Sequence, residues 1–163
     1  MEYTGIQLSA MTALAVLASG SDGNIDKKEL EVISHHLHAF VQDEEKIKNL
    51  LAAALLIKFE DAAKIVKDMN YEQKRHFAAF IGVIILADGT ISDDELEYWK
   101  ALSAATNLPH MTIRDGANIF VNYMVGNQNS TSYVNSNGSG GKNFGCLIWI
   151  VVIAIVIIFV ANK

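Results

Sequence analysis

The chain has 163 residues, 51% of them hydrophobic, a single cysteine and a formal net charge of −5. One cysteine excludes an intramolecular disulfide and fits a reducing compartment. The charge is concentrated, because residues 1–125 hold 11 Lys/Arg against 18 Asp/Glu, a net of −7. That balance disfavours nucleic acid and anionic lipid as partners and tolerates cations.

Apolar residues recur at helical spacing throughout residues 1–125, and no segment alternates as a strand would. The N-terminus, Met1-Glu2-Tyr3, lacks the basic region that opens a secretory signal. The first expected helix, about Gly5 to Ala18, is nearly all apolar and belongs at the centre of the domain. The second starts at an Asp26 cap and carries Leu30, Ile33, Leu37 and Phe40 inward. The third starts near Asp43 and contains Ile47, Leu50, Leu51, Ala54 and Leu55. A shorter helix spans about Asp61–Lys67. Asn70 caps a long helix over Tyr71–Ala87, apolar on all sides in its second half. The sixth helix starts at Ser92 and presents Leu96, Trp99 and Leu102. Pro109 opens the last one, which ends near Val125. The fold class is all-α, a compact helical bundle.

Two phrases 66 residues apart repeat each other. The first is Asp22-Gly23-Asn24-Ile25-Asp26-Lys27-Lys28-Glu29-Leu30, and the second is Asp88-Gly89-Thr90-Ile91-Ser92-Asp93-Asp94-Glu95-Leu96. Each half therefore reads as an apolar helix, an Asp-Gly turn and an amphipathic helix. Gly23 and Gly89 stand where a helix ends and reverses, a position that favours a left-handed residue. Asp26 and Ser92 match N-caps worth about 1 kcal/mol each, with Glu29 and Glu95 as their capping-box partners. Asp22 and Asp88 fall at helix C-termini, where the macrodipole opposes negative charge. Such a carboxylate needs turn N–H donors, as in an Asx turn, or a cation.

An EF-hand also contains Asp-Gly-x-Ile and ends in Glu, but its calcium ligands include loop positions 1 and 3. Those positions fall on Ala18 and Gly20 in the first copy and on Ile84 and Leu86 in the second. None offers a side-chain oxygen, so the EF-hand is rejected. What the phrase resembles is the tellurite-resistance TerB-like family, whose hallmark is a pair of apolar helices, each ending in Ala-Asp-Gly-x-Ile-(Ser/Asp)-x-x-Glu. Leu86-Ala87-Asp88-Gly89-Thr90-Ile91-Ser92-Asp93-Asp94-Glu95 matches it closely, and the first copy departs by having Ser21 in place of alanine. Asn107-Leu108 is similar to the family's closing segment. The resemblance covers about residues 5–125. It implies a bundle whose two Asp-Gly turns lie close together. It also implies a divalent cation, such as calcium or magnesium, held by Asp22, Glu29, Asp88 and Glu95.

Three histidines, His35, His36 and His38, cluster on the second helix, and His35 lies one turn from Glu31. The group is metal-capable but reads more simply as a solvated face, and Ala101, Leu102 and Ala104 replace it in the second half. No nucleophile–base pair, phosphate loop or basic–aromatic patch is present, which gives no argument for an enzyme.

Residues 126–145 are rich in Asn, Ser and Gly and bury almost nothing. Twenty such residues reach about 25 Å, enough to leash a domain to a membrane without docking it there. The tether is bounded at 126–143, because Phe144 and Gly145 join the uncharged run that follows. Cys146 to Ala161 adds 16 apolar residues, so residues 144–161 span roughly 27 Å as a helix. In lipid only a helix satisfies the backbone of a single span. Trp149 and Lys163 suit its interfaces, and Cys146 reads as a small apolar residue or an acylation site at the boundary. The expectation is a C-terminal single-pass anchor with the soluble domain in the cytoplasm. The function expected is a membrane-tethered, TerB-like binding or sensing module in envelope stress, metal response or defence, with a protein partner. The alternative is an adaptor without metal.

Overall fold

A computed structural model describes residues 2–20 and 27–130. The first Asp-Gly turn, with Asp22, Gly23, Ile25 and the Asp26 cap, lies outside the described residues. So do most of the tether and the span expected at 144–161. Among the described residues there are seven helices and no strand. In chain order they are α1 (Gly5–Ser19), α2 (Lys27–Leu37), α3 (Glu44–Ala54), α4 (Phe59–Lys67), α5 (Tyr71–Ile85), α6 (Asp93–Thr106) and α7 (Ile113–Ser130). The chain divides within α7 into a compact unit, Met1–Phe120, and a second unit, Val121–Lys163. No helix among the described residues is long and apolar enough to cross a membrane.

Caps place most of these boundaries. Thr4 starts α1 by accepting from the Gln7 N–H at 3.2 Å, while Gln7 Oε1 accepts from the Thr4 N–H at 2.9 Å. Asp43 accepts from Glu45 and Lys46 at the head of α3, and Asn70 forms the same reciprocal box with Gln73 at the head of α5. Each cap satisfies N–H groups that the first turn leaves without a partner. The last helix departs from expectation. It starts at Ile113, four residues after Pro109, because Thr112 is the better cap. Its hydroxyl accepts from the Asp115 N–H at 3.1 Å, and Asp115 Oδ2 accepts from the Thr112 N–H at 3.1 Å and hydroxyl at 2.7 Å. Asn107 closes α6 in the left-handed region, φ 53°.

α1 is the central helix, with Leu8, Ala10, Met11, Ala13, Leu14, Ala15, Val16 and Ala18 all buried. It packs against α2, α3, α4, α5 and α6. Its buried Thr12 satisfies its own hydroxyl on the Leu8 carbonyl at 2.8 Å, as Thr106 does on Leu102 at 2.7 Å. Of the residues expected inward from the second helix, Leu30 and Phe40 are half-buried and Ile33 and Leu37 buried; among the apolar residues of the third, Leu51 is half-buried and Ile47, Leu50 and Ala54 are buried. Leu55 is not: it follows the last residue of α3 and is 61% exposed. Leu96, 39% exposed, lies at the surface, while Trp99 and Leu102 of the same helix are buried.

α5 and α7 cross with almost no side chain between their backbones. A Cβ added at Gly82 would meet the Ile113 carbonyl oxygen at 2.7 Å and the Ala117 nitrogen at 2.9 Å. One added at Gly116 would meet the Ala78 carbonyl oxygen at 3.0 Å. At Gly82 the obstacles are backbone atoms of a packed helix, so they cannot swing aside. Alanine would gain about 1 kcal/mol of helix propensity at this position. Overpacking costs about 1–3 kcal/mol, and with clashes below 3 Å the overpacking term wins. Gly82→Ala should therefore lower the melting temperature by several degrees, and Gly116→Ala by less. Thermal melts followed by circular dichroism read both; an unchanged or raised midpoint for Gly82→Ala would show that the helices can separate without cost.

Candidate functional site

The described copy of the repeated motif begins where α5 runs out. The Leu86 N–H donates to Gly82 and the Ala87 N–H to Ile84, and then Gly89 takes φ 87° and donates its N–H to the Leu86 carbonyl at 3.0 Å. Only glycine adopts that conformation cheaply. Asp88 projects from this turn into solvent. Its Oδ1 accepts from the Thr90 N–H at 2.8 Å and its Oδ2 from the Thr90 hydroxyl at 2.9 Å. That is an Asx turn, one of the two ways in which a carboxylate at a helix C-terminus is accommodated. Ser92 then caps α6. Its hydroxyl accepts from the Glu95 N–H at 3.2 Å, and Glu95 Oε2 accepts from the Ser92 N–H at 2.7 Å and hydroxyl at 2.9 Å.

Asp88 and Glu95 thus flank one turn, each bonded to its nearest polar neighbour and neither to the other. Glu29 lies in the first turn of α2, half-buried and already engaged. Asp22 lies outside the described residues. Among the described residues no three His, Cys, Asp or Glu side chains are placed to hold a metal ion.

The histidines of α2 are not the solvated face expected of them. His36 stacks on Phe120, with ring centroids 5.5 Å apart and an interplanar angle of 17°, and its Nδ1 lies 3.0 Å from the Val32 carbonyl. Phe120 also meets Phe40 and Phe80, and Phe40 meets Tyr3, so His36 closes one end of an aromatic cluster. His38 Nε2 lies 3.2 Å from Glu44 Oε1, which ties the end of α2 to the start of α3. Glu31 pairs instead with Lys27 at 3.5 Å. Burial, then His36, then His38 pull the His35 pKa down to about 4. Burial also lowers His36 against the opposing pull of the Val32 carbonyl. The His35 and His36 rings are neutral at pH 7 and act as packing groups.

One further contact has no local signal in the sequence. The Tyr98 hydroxyl donates to the Leu14 carbonyl at 2.6 Å, which pins α6 to the central helix, and burial raises its pKa well above the ordinary tyrosine range. Leu55 and Leu56, in the turn from α3 to α4, are 61% and 86% exposed. The end of α3 was the available signal, since a helical stripe stops being inward where the helix stops.

No protein-family model and no curated protein matches the chain. A solved structure does: the crystal structure of a protein of unknown function from Porphyromonas gingivalis W83, with a TM-score of 0.66 and 30% identity. The match covers 74% of this chain and 92% of that one. The chain belongs to that protein's family. The shared identity extends the likeness beyond fold alone.

The capping box and the buried imidazoles each give a stability test. Ser92→Ala removes the acceptor for the Glu95 N–H and should cost about 1 kcal/mol, while Ser92→Asp should retain most of the stability. His35 holds its proton less tightly folded, at about 4, than at the ordinary 6.5. Above pH 6.5 both states are neutral and the group contributes nothing. Between 6.5 and 4 the unfolded chain takes up the proton first, so stability falls across that window. Melting midpoints should therefore drop from pH 7 to pH 4.5, and less steeply in His35→Gln. An identical drop in the variant would remove His35 from the account.

Proposed function

We propose that this chain is a membrane-tethered helical binding module of TerB-like type, with a divalent cation held between its two Asp-Gly turns and a protein partner in the cytoplasm. The observation that carries the binding class is the motif itself. A solvent-facing carboxylate is built into a hydrogen-bonded turn, and the sequence repeats the Asp-Gly phrase with its Asp and Glu. The tether reading rests on the uncharged run at 144–161 behind an Asn/Ser/Gly-rich segment. The cation reading rests on the TerB resemblance and on electrostatics. If Asp22, Glu29, Asp88 and Glu95 converge, four like charges repel, and a divalent ion relieves the repulsion.

A second reading, an adaptor without metal, is favoured by a specific observation. Asp88 and Glu95 already serve as turn and cap acceptors, and those roles justify both residues without an ion.

One experiment separates the two. A ligand that binds only the folded state stabilises it by RT ln(1 + [L]/Kd), about 2.7 kcal/mol at a hundredfold excess over Kd. Calcium or magnesium at millimolar levels should raise the melting temperature, and Asp22→Asn combined with Asp88→Asn should abolish the rise. A rise that survives the double substitution, or no rise in the parent chain, leaves the adaptor reading standing. Separately, deleting residues 142–163 should move the chain from the membrane fraction to the soluble one.

A further inference from the structure

We infer that the α3–α4 turn is a membrane-docking tip, with Leu55 and Leu56 entering the interface of the same bilayer that holds the C-terminal span. The inference rests on the tether reading above and goes beyond it, because a tether alone leaves the domain free to tumble. Large exposed side chains usually occur singly. Here two adjacent leucines are 61% and 86% exposed at the apex of a turn. Two of the tip's backbone donors are already satisfied: the Leu56 N–H donates to Ala53 at 3.0 Å and the Ile57 N–H to Ala54 at 3.3 Å. The tip can thus leave water without stranding those donors, which is the main cost of taking irregular backbone into lipid. Lys58, exposed at the head of α4 with no side-chain capping bond, is placed to snorkel to head groups.

The length of chain between domain and span makes lipid the occupant. A unit of about 120 residues has a radius of gyration near 14 Å. The 15 residues from 131 to 145, beyond the end of α7, can span at most about 50 Å. Any face of the domain can therefore be turned onto the bilayer, and the span keeps that bilayer within reach at all times. Acidic neighbours, Glu60 and Asp61, make a zwitterionic surface the suitable one, since anionic lipid would repel them.

The test uses the full chain in phosphatidylcholine vesicles, with Cys146→Ser and Leu56→Cys carrying an environment-sensitive fluorophore. Leu56 is outside the core, so the label leaves folding intact. The expected result is a blue-shifted emission that lipids spin-labelled near the head groups quench at least twofold, and that reverts toward its value in water in Leu55→Ser. A blue shift without lipid quenching means that protein, such as a second copy, covers the tip, and overturns the inference. Water-like emission from a chain that floats with the vesicles also overturns it, while the tether reading survives. A chain that does not float removes the tether reading, and the docking tip falls with it.

Discussion

A helix without a polar side has to be enclosed, and α1 imposes that condition on everything around it. Nine of its fifteen residues are buried, and they occupy all sides of the helix. Five other helices are needed to keep them from water. The alanines at 10, 13, 15 and 18 let those neighbours approach closely, and Leu8, Met11, Leu14 and Val16 fill the spaces between. One polar contact fixes the packing. A carbonyl in the middle of a helix already accepts one bond, and the Tyr98 hydroxyl uses the second lone pair of Leu14. This orients α6, and with it the acidic turn that leads into α6, relative to the core.

The order and character of the helices were legible because their signals are local. Asp43, Asn70 and Ser92 are cap residues followed by apolar periodicity, and each caps as its chemistry suggests. The misreadings share a cause. Pro109 is a permissive helix opener, but Thr112 with Asp115 satisfies two N–H groups where proline satisfies none. Leu55 fits an inward stripe only if α3 continues, and α3 ends at Ala54. The Gly82–Gly116 crossing joins residues 34 apart, and no local spacing says which small residue meets which. The histidines were misread for the same reason, since Phe120 approaches from the far end of the unit to cover His36.

The acidic motif was legible as a turn and a cap, and a role toward an ion was not. Ser92, Glu95 and Gly89 take the roles that their residue types dictate: cap, capping-box partner and left-handed reversal. A carboxylate in such a motif has the same sequence signature whether it serves the backbone or an ion, because both demand an oxygen at one position in a tight turn. Spacing within one copy therefore carries no information that separates the roles. Only the relation between the two copies does, and that relation is tertiary.

The two roles are not exclusive in lone-pair terms. An ionised carboxylate offers about four acceptor sites. Asp88 uses one on each oxygen, both for Thr90, and Glu95 receives both of its bonds on Oε2. A carboxylate held in this way by two bonds is presented with a fixed direction. A cation approaching it would displace water rather than the turn. The Asx turn and the capping box would then act as positioning contacts, removing rotamer freedom beforehand and so lowering the entropy lost on binding. A turn faces solvent under either reading, because connections run over the surface, so the two readings diverge only in whether the second Asp-Gly turn lies beside this one.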